Sequence, residues 1–458
     1  MIRTNRNLST WKIFSSLAVI LIFLCWPMIL PDFFPELRNE TLPSQFNLFP
    51  GLIAWFILSN IRCPYSRLIG YIWLLWYFIG TFNAISSSIV LGGYYSKLDL
   101  HQPTQIFLFG CVFYFSGLFA YEKLFTRNRK YIYGIGVLKD NIDPKVGIGL
   151  MTFPFLWLAS MYVTLGYIPM LTGEDIKDEM YEIQYGPLYT YGCIMVISIL
   201  YAGYKSMTSR SIKVSALYIL FILVFIIVSM ADGKRVFAMV SFSGLISLSF
   251  RLLQQKTWTK TLPIIAYTMI ALYVLVLIMR SGGGDEGVSH QYKNYMLVGV
   301  EFRDFVYSVN TFEPGEIPNY SWLVSTLAAM SNNIILQALD LDKSVLIRLD
   351  SAHAWAALFN TSFGIRTGII SELWFAYDLF SMPYLFIFGL ISAFVIQYLK
   401  KLKGVRGFLF MAGVYGLLLL CITGQSTFTF GLLLPFLYAY ILIRIIGIFF
   451  PKGSSKNT

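Results

Sequence analysis

Charged residues are scarce in this chain of 458 residues, since Asp, Glu, Lys and Arg together make up only 13% of it. Soluble domains carry about a quarter charged residues, so this deficit excludes a soluble globular protein. Apolar residues take their place: 57% of the chain is hydrophobic and the mean hydropathy is +0.64. The composition therefore predicts a membrane protein that crosses the bilayer many times.

Cysteine and histidine are also rare, with five and three residues. All cysteines except Cys63 fall in apolar runs, which excludes a disulfide framework and a thiolate metal site. The chain lacks a Walker A loop, a Rossmann glycine pattern, a His-Glu-x-x-His pair and a nucleophile elbow. The nearest approach to an acidic metal motif is Asp340 with Asp342, a pattern that is common by chance. We therefore expect no metal and no cofactor.

Long apolar runs are abundant, and most approach or exceed the roughly 20 residues that a helix needs to cross a bilayer. They predict an all-α polytopic membrane protein with about twelve transmembrane helices. Helices 1 to 9 would occupy residues 1–280, a large outer loop residues 281–370, and helices 10 to 12 residues 371–458. The predicted spans are 11–30, 47–61, 68–91, 105–121, 147–169, 187–204, 214–231, 235–252, 261–280, 371–399, 407–424 and 427–450, of which 47–61 and 235–252 are short.

The distribution of charge predicts the orientation of these spans. Lys and Arg accumulate on cytoplasmic loops, and most of the basic residues fall in segments on one side, including 123–145 and 400–406. Acidic residues show the opposite bias, with only Glu122, Asp140 and Asp143 on that side. An even number of spans then leaves both termini in the cytoplasm. The formal charge of +11 reflects this orientation and does not indicate nucleic-acid binding.

The large outer loop, 281–370, holds two of the three histidines. It opens with the glycine-rich 281–287, a candidate hinge, and continues with 292–309 and 322–341, which mix apolar and polar residues at helical spacing. The turn-rich segment 313–319 separates these two stretches. We expect amphipathic helices that lie on the outer face of the helix bundle or dip into it.

Basic residues on the outer side are exceptions to the positive-inside rule. We therefore expect each of them to have a negatively charged partner. Guanidinium groups grip pyrophosphate oxygens in a bidentate manner, and together these residues are a candidate pyrophosphate-binding group. The alternative is pairing with neighbours such as Asp232, Asp304 or Asp350, or with lipid headgroups. The candidates are Lys234, Arg235, Arg280, Arg303, Arg348 and Arg366.

Three side chains are candidates for a general base. Glu372 follows the loop and opens an apolar span, where an ionised group is costly and usually functional; a helix N-terminal acid stabilised by the helix dipole is the alternative. His353 can exchange a proton near neutral pH, although a lone loop histidine is more often structural. Asp304 is the third candidate, and Glu372 ranks first.

Three segments carry a resemblance to a known family. Gly233–Arg235 resembles a short Gly-x-basic element that opens a middle span, Arg303–Asp304 follows the glycine-rich stretch, and Gly364–Phe380 combines glycines, an acid and aromatics where the chain re-enters the membrane. In these features, and in its architecture, the chain resembles the O-antigen polymerases, the Wzy-type oligosaccharide repeat-unit polymerases of bacteria. It departs from them at 343–360, which offers Trp355 but no proline where members often have a Pro/Trp-rich segment.

The resemblance implies a glycosyltransferase of the bacterial cytoplasmic (inner) membrane. It would move a growing glycan from undecaprenyl pyrophosphate to a sugar hydroxyl of a new lipid-linked repeat unit on the outer face. The implied partners are undecaprenyl-pyrophosphate-linked oligosaccharides, membrane lipids, a chain-length regulator and a flippase. Two alternatives remain open. One is a lipid-linked glycan ligase, and the other is a transporter or flippase of lipid-linked oligosaccharide, whose ionisable groups would lie on broken helices within the membrane.

Overall fold

The computed structural model describes most of the chain. The described residues are 17–18, 21–23, 25–33, 41–91, 98–125, 142–166, 178–230, 236–252, 300–358, 367–422 and 424–449, with the single positions 35, 37, 138 and 140. Within these ranges the structure is helical, with connecting turns and loops and no strand, in agreement with the predicted all-α class.

Helices occupy almost all of the described ranges, and two short 3₁₀ helices lie at Phe46–Leu48 and Asp378–Phe380. Residues 25–33 are also helical. The α-helices that follow are α1 (Phe49–Asn60), α2 (Pro64–Leu91), α3 (His101–Phe125), α4 (Pro144–Leu165), α5 (Asp178–Thr208), α6 (Ile212–Met230), α7 (Val236–Leu252), α8 (Val300–Thr311), α9 (Trp322–Met330), α10 (Asn333–Ala338), α11 (Lys343–Ile347), α12 (Ser351–Leu358), α13 (Gly368–Tyr377), α14 (Ser381–Lys401), α15 (Val405–Leu420), α16 (Ser426–Gly431) and α17 (Leu433–Phe449).

Three helical segments among the described residues are long and apolar enough to cross a membrane: Pro64–Ile85, His101–Phe125 and Gly368–Lys401. Further apolar helices are shorter, among them Phe46–Asn60 and Met239–Leu252, which correspond to the two spans expected to be short. These apolar helices support association with a membrane. The total of about twelve spans stays a prediction.

Glycine lets α3 and α14 approach each other at backbone contact distance. A Cβ on Gly117 would overlap the carbonyl oxygen of Phe386, and a Cβ on Gly389 would overlap the carbonyl oxygen of Tyr114. Small residues at such crossings are the usual way in which helices pack tightly in membranes, where the hydrophobic effect does not drive their association. The crossing therefore fixes α14, and with it the start of the following helices, against α3.

We expect Gly389→Ala to lower the thermal midpoint of the purified protein in detergent. The added methyl group meets backbone rather than a flexible side chain, so the helices must separate, at a cost of about 1–3 kcal/mol. Gly149→Ala in α4 is the matched control, because nothing lies within 4 Å of its Cβ position. Equal midpoints for the two variants would contradict the described crossing.

Segments rich in basic residues meet at one end of the bundle, which we call the basic end. The backbone N–H groups of Arg62 and Cys63 donate to the Glu122 carboxylate at 2.9–3.2 Å. Arg251 donates to the carbonyl oxygen of Leu402 at 3.2 Å, and the turn that contains Leu402 follows the basic last turn of α14. Segments that the charge distribution assigns to one side of the membrane thus lie at one end of the structure.

At the opposite end, α8 inserts among the helices of the bundle. Phe302 packs against Gly80 of α2, the Tyr307 hydroxyl donates to the carbonyl oxygen of Ala84 at 3.2 Å, and Asn310 donates to the carbonyl oxygen of Asp99 at 2.9 Å. Most side chains from 302 to 309 are buried. Of the two expected arrangements for the loop helices, α8 adopts the one that dips into the bundle.

The stretch 322–341, expected as one amphipathic helix, is divided into α9 and α10 in the structure. Ser331 ends α9 in an extended conformation, and the Asn332 side chain then accepts a hydrogen bond from the Ile334 N–H at the start of α10. An Asn side chain that caps a new helix stabilises such a break.

The expected span 371–399 is likewise divided. The chain turns at Asp378, which has a φ of 49°, and continues as a 3₁₀ turn into α14. Helix α13 begins at Gly368, before the predicted start of the span, and ends at Tyr377. It is therefore a short separate helix packed against the long helix α14.

Candidate functional site

The start of α13 is locked against the turn that follows α15. Gly368 has a φ of +77°, and a Cβ there would overlap the carbonyl oxygen of Ile422. The N–H of Ile369 donates to the carbonyl oxygen of Cys421 at 3.0 Å. Only glycine combines this backbone conformation with so close an approach, so Gly368 places the next turn, with Glu372, near Cys421, Ile422 and Ser426.

The Glu372 carboxylate joins three segments that are distant in sequence. It accepts hydrogen bonds from the Ser351 hydroxyl at 2.6 Å, from the Ser426 N–H at 3.0 and 3.2 Å, and from the Ser426 hydroxyl. The residue is only 1% exposed. Buried carboxylates are stable when several donors satisfy them. Here the donors are the first residues of α12 and α16.

A chain of contacts connects Glu372 with α8. The Tyr320 hydroxyl donates to the backbone carbonyl of Glu372 at 2.7 Å, and the Tyr320 ring meets Trp355 edge-on with centroids 5.3 Å apart. The Trp355 indole N–H donates to the Ser308 hydroxyl, which donates to the carbonyl oxygen of Asp304 at 2.7 Å. Helix α12 therefore links the segments that carry the three candidate bases.

Arg303 and Asp304 form a buried ion pair in the first turns of α8. The guanidinium Nε and Nη2 atoms both lie 2.9 Å from the same Asp304 oxygen. Burial raises the pKa of the Asp304 carboxyl, and the Arg303 charge opposes that shift. The pairing alternative considered for the outer arginines is thus realised at Arg303, and a charged pair held beside apolar helices is costly unless it serves a purpose.

His353 and Asp350 form a second pair, at the start of α12. The His353 Nδ1 lies 2.7 Å from Asp350 Oδ1, and the same oxygen accepts a hydrogen bond from the His353 backbone N–H at 2.9 Å. Asp350 is 3% exposed, whereas the His353 side chain is 55% exposed. A carboxylate on Nδ1 fixes the ring so that Nε2 of the neutral imidazole is an acceptor. The hydrogen bond with Asp350 raises the pKa of His353 above its ordinary value.

Asp350 is not among the sequence candidates for the base; the sequence suggests it only as a partner for an arginine. A signal for the pair exists, since Asp and His three residues apart lie on the same side of a helix start. That spacing is common, however, and only the burial of Asp350 together with the exposure of His353 distinguishes this pair.

The described residues include only some of the candidate pyrophosphate-binding side chains. Arg348 is exposed at the end of α11, and its charge lowers the pKa of His353, so the two side chains are electrostatic neighbours. Asp350 takes His353 as its partner. The remaining candidates, Lys234, Arg235, Arg280 and Arg366, and also His290 and the predicted hinge 281–287, lie outside the described residues.

The geometry separates the two leading candidates for a general base. Among the described residues, the hydrogen bonds of the Glu372 carboxylate all come from protein donors, and its 1% exposure leaves a substrate hydroxyl little room to approach. His353 has an oriented, exposed ring with a buried carboxylate behind it, the arrangement that general-base catalysis requires. Within the described part of the chain, no group of three or more His, Cys, Asp or Glu side chains is placed to hold a metal ion.

Comparison with known proteins does not assign this chain to a family. No protein-family model, curated protein or solved structure matches this chain. The resemblance to the O-antigen polymerases therefore rests on the three segments Gly233–Arg235, Arg303–Asp304 and Gly364–Phe380. Of these, Arg303–Asp304 and the part of Gly364–Phe380 from residue 367 onward lie within the described structure.

Proposed function

We propose that this protein is a membrane glycosyltransferase that polymerises undecaprenyl-pyrophosphate-linked oligosaccharide repeat units, as in O-antigen synthesis, with His353 as the general base. The observation that carries the proposal is the His353–Asp350 pair, an exposed imidazole oriented by a buried carboxylate. It is tied through α12 to apolar helices and has Arg348 as an electrostatic neighbour. A base and a cation at the end of a membrane bundle are what this transfer needs.

The reaction would proceed as follows. A hydroxyl oxygen of the incoming repeat unit bonds to the anomeric carbon of the growing glycan, and the bond from that carbon to the pyrophosphate oxygen breaks. His353 Nε2 accepts the hydroxyl proton, while Asp350 stabilises the imidazolium that forms. Undecaprenyl pyrophosphate leaves with the bonding electron pair, and cationic side chains stabilise its new charge.

The proposed setting is the bacterial cytoplasmic membrane, with about twelve spans and both termini in the cytoplasm. The basic end would face the cytoplasm, because Lys and Arg are retained on that side during insertion. The end that holds Arg348 and His353 would then face outward, where lipid-linked repeat units are presented after a flippase has moved them.

Reconstitution tests the proposal directly. The purified protein in nanodiscs is given undecaprenyl-pyrophosphate-linked repeat units, and both the length of the glycan and free undecaprenyl pyrophosphate are measured. We expect a ladder of products with one released lipid pyrophosphate for each bond formed. Absence of both products with folded protein, where the substrate is intact, would overturn the polymerase assignment.

A second function is favoured by one observation. Glu372 is a buried acid in α13, which the 3₁₀ turn Asp378–Phe380 separates from α14, and it bonds to Ser426 at the start of α16, after α15 has ended at Leu420. Ionisable groups on broken helices are typical of transporters. Movement of a fluorescent lipid-linked oligosaccharide across proteoliposomes, without any new glycosidic bond, would establish the flippase alternative in place of the polymerase.

Arg303→Lys tests whether Arg303, a candidate for the pyrophosphate-binding group, contributes to the proposed reaction. Lysine keeps the charge but cannot make the two-nitrogen contact with Asp304, and a lost charge-assisted hydrogen bond costs about 1.5–3 kcal/mol. We expect the polymerisation rate in nanodiscs to fall about 10- to 100-fold with the protein still inserted. Arg210→Lys, at an exposed position between α5 and α6, is the control for the same conservative change. An unchanged rate for Arg303→Lys would remove Arg303 from the site.

A further inference from the structure

Helices α9, α10 and α11 expose an unusual number of large apolar side chains. Ile334 is 73% exposed and Leu339 64% exposed, and several neighbours are at least half exposed. We call this surface the hairpin face; its members are Leu323, Leu327, Ile334, Ile335, Leu339 and Val345. Soluble surfaces rarely gather so many large apolar side chains, and such a patch marks an interaction site.

The hairpin face belongs to an element that is held firmly on the rest of the protein. The Asn332 side chain donates to the Tyr438 hydroxyl of α17 at 2.6 Å. The Lys343 ammonium group donates to the carbonyl oxygen of Ser331 at 2.7 Å, which ties α11 to the end of α9. On the inner side of the same helices, Ser325 and Leu336 are buried. These apolar side chains are therefore exposed on an element that is packed and hydrogen-bonded to the rest of the protein.

The Asn332–Tyr438 hydrogen bond places α10 beside α17, which also has an apolar flank. Helix α17 exposes Leu437, Ile441 and Ile445 along one side, as expected of a helix that faces acyl chains. Helices α9, α10 and α11 have 9, 6 and 5 residues, so none can cross a bilayer. An element of this length with an apolar face can instead lie in the plane of the interface.

We propose that the hairpin face inserts among the acyl chains of the leaflet at this end of the bundle. The lipid contact of α17 would then extend over α9, α10 and α11. The exposed carboxylates of Asp340 and Asp342, in the turn between α10 and α11, would lie at the level of the headgroups. This inference rests on the exposure of these side chains and on their position beside α17, and it does not depend on the proposed reaction.

The insertion would set the depth of the candidate site. Arg348 directly follows α11, and His353 lies in the first turns of the next helix, α12. Both side chains would therefore stand at headgroup height, where a pyrophosphate attached to a lipid is presented. If the proposed function holds, the hairpin face explains why the substrate class is lipid-linked rather than water-soluble.

Spin labels test the insertion in the full-length protein reconstituted in phospholipid nanodiscs. Ile335→Cys places a label on the hairpin face, and Gln337→Cys, two residues further along α10, places one on roughly the opposite side of the same helix. Ile387→Cys, half exposed on α14, is the reference for lipid contact. The unsubstituted chain, with its five native cysteines, is labelled in parallel as background.

We expect the label at Ile335 to collide several-fold more often with oxygen, which dissolves in lipid, than with a water-soluble nickel chelate, as at Ile387. The label at Gln337 should show the opposite ratio. A label at Ile335 that collides mainly with nickel would place the face in water and overturn the inference. A label shielded from both reagents would also overturn it, because another protein surface would then cover the face. Neither outcome depends on glycan chemistry.

Discussion

Replacing His353 with Gln is expected to reduce the rate of glycan polymerisation by about 100- to 10,000-fold, the usual contribution of a positioned general base. Glutamine keeps a polar side chain of similar reach but cannot accept the hydroxyl proton. Because the His353 ring is exposed and Asp350 retains the hydrogen bond from the backbone N–H at residue 353, the fold should tolerate the change. The measurement is the initial rate of bond formation by purified protein in nanodiscs.

The matched control is His101→Gln. His101 also lies at the end of the bundle opposite the basic end, where its Nδ1 is 2.9 Å from the Asn47 amide, and it has no part in the proposed reaction. We expect His101→Gln to retain most of the wild-type rate. A rate for His353→Gln within a factor of about three of wild type would remove His353 as the base.

The pH profile distinguishes a catalytic pair from a structural one. Only neutral imidazole can act as the base, so the rate should rise with pH through the pKa of His353. Asp350 raises that pKa, and Asp350→Asn should therefore move the rising limb to lower pH. The same variant should lower the plateau, because an amide does not stabilise the imidazolium. A lower plateau with an unmoved limb would indicate a purely structural role for Asp350.

Replacing Glu372 with Gln is expected to destabilise the protein strongly, independently of catalysis. Three donors, the Ser351 hydroxyl and the N–H and hydroxyl of Ser426, converge on this carboxylate. Glutamine offers one acceptor oxygen and places an N–H₂ group among these donors. Each buried donor left without an acceptor costs about 1–3 kcal/mol, so the thermal midpoint in detergent should fall by several degrees.

Two comparison variants sharpen this prediction. Ser351→Ala removes a single donor and should have a smaller effect than Glu372→Gln. Glu316→Gln changes an exposed acid in the loop before α9 and should leave the midpoint unchanged. If Glu372→Gln is as stable as wild type but inactive, the structural role of this carboxylate is wrong, and Glu372 itself regains its place as the first candidate for the base.

Much of the helical fold is encoded in local apolar runs, and these could be predicted. Helices α2, α3, α7 and α15 fall close to the expected spans because a long apolar run allows few alternatives. The break at Asp378 was not predicted, although Pro383 in the first turn of α14 is a local signal for a new helix start. The positive φ there depends on how α13 packs against α14, which is a property of the tertiary structure.

In the candidate site, too, some features could be predicted from the sequence and others could not. Glu372 was identifiable because an acid in an apolar, aromatic stretch is unusual. Its partners were not, because Ser351 and Ser426 are 21 and 54 residues away and serine is unremarkable in either position. The preference for His353 over Glu372 likewise depends on burial, and no local pattern separates an exposed imidazole from a buried one.

The proposed polymerase function is tested most directly by a gel of surface glycans from cells that lack the gene, carry the wild-type gene, or carry His353→Gln at matched protein level. We expect that deletion leaves a single repeat unit on the lipid core, that the wild-type gene restores the ladder, and that His353→Gln does not. Loss of every repeat unit on deletion, including the single one, would point to transport or ligation instead. An unchanged ladder after deletion would contradict the glycan function altogether.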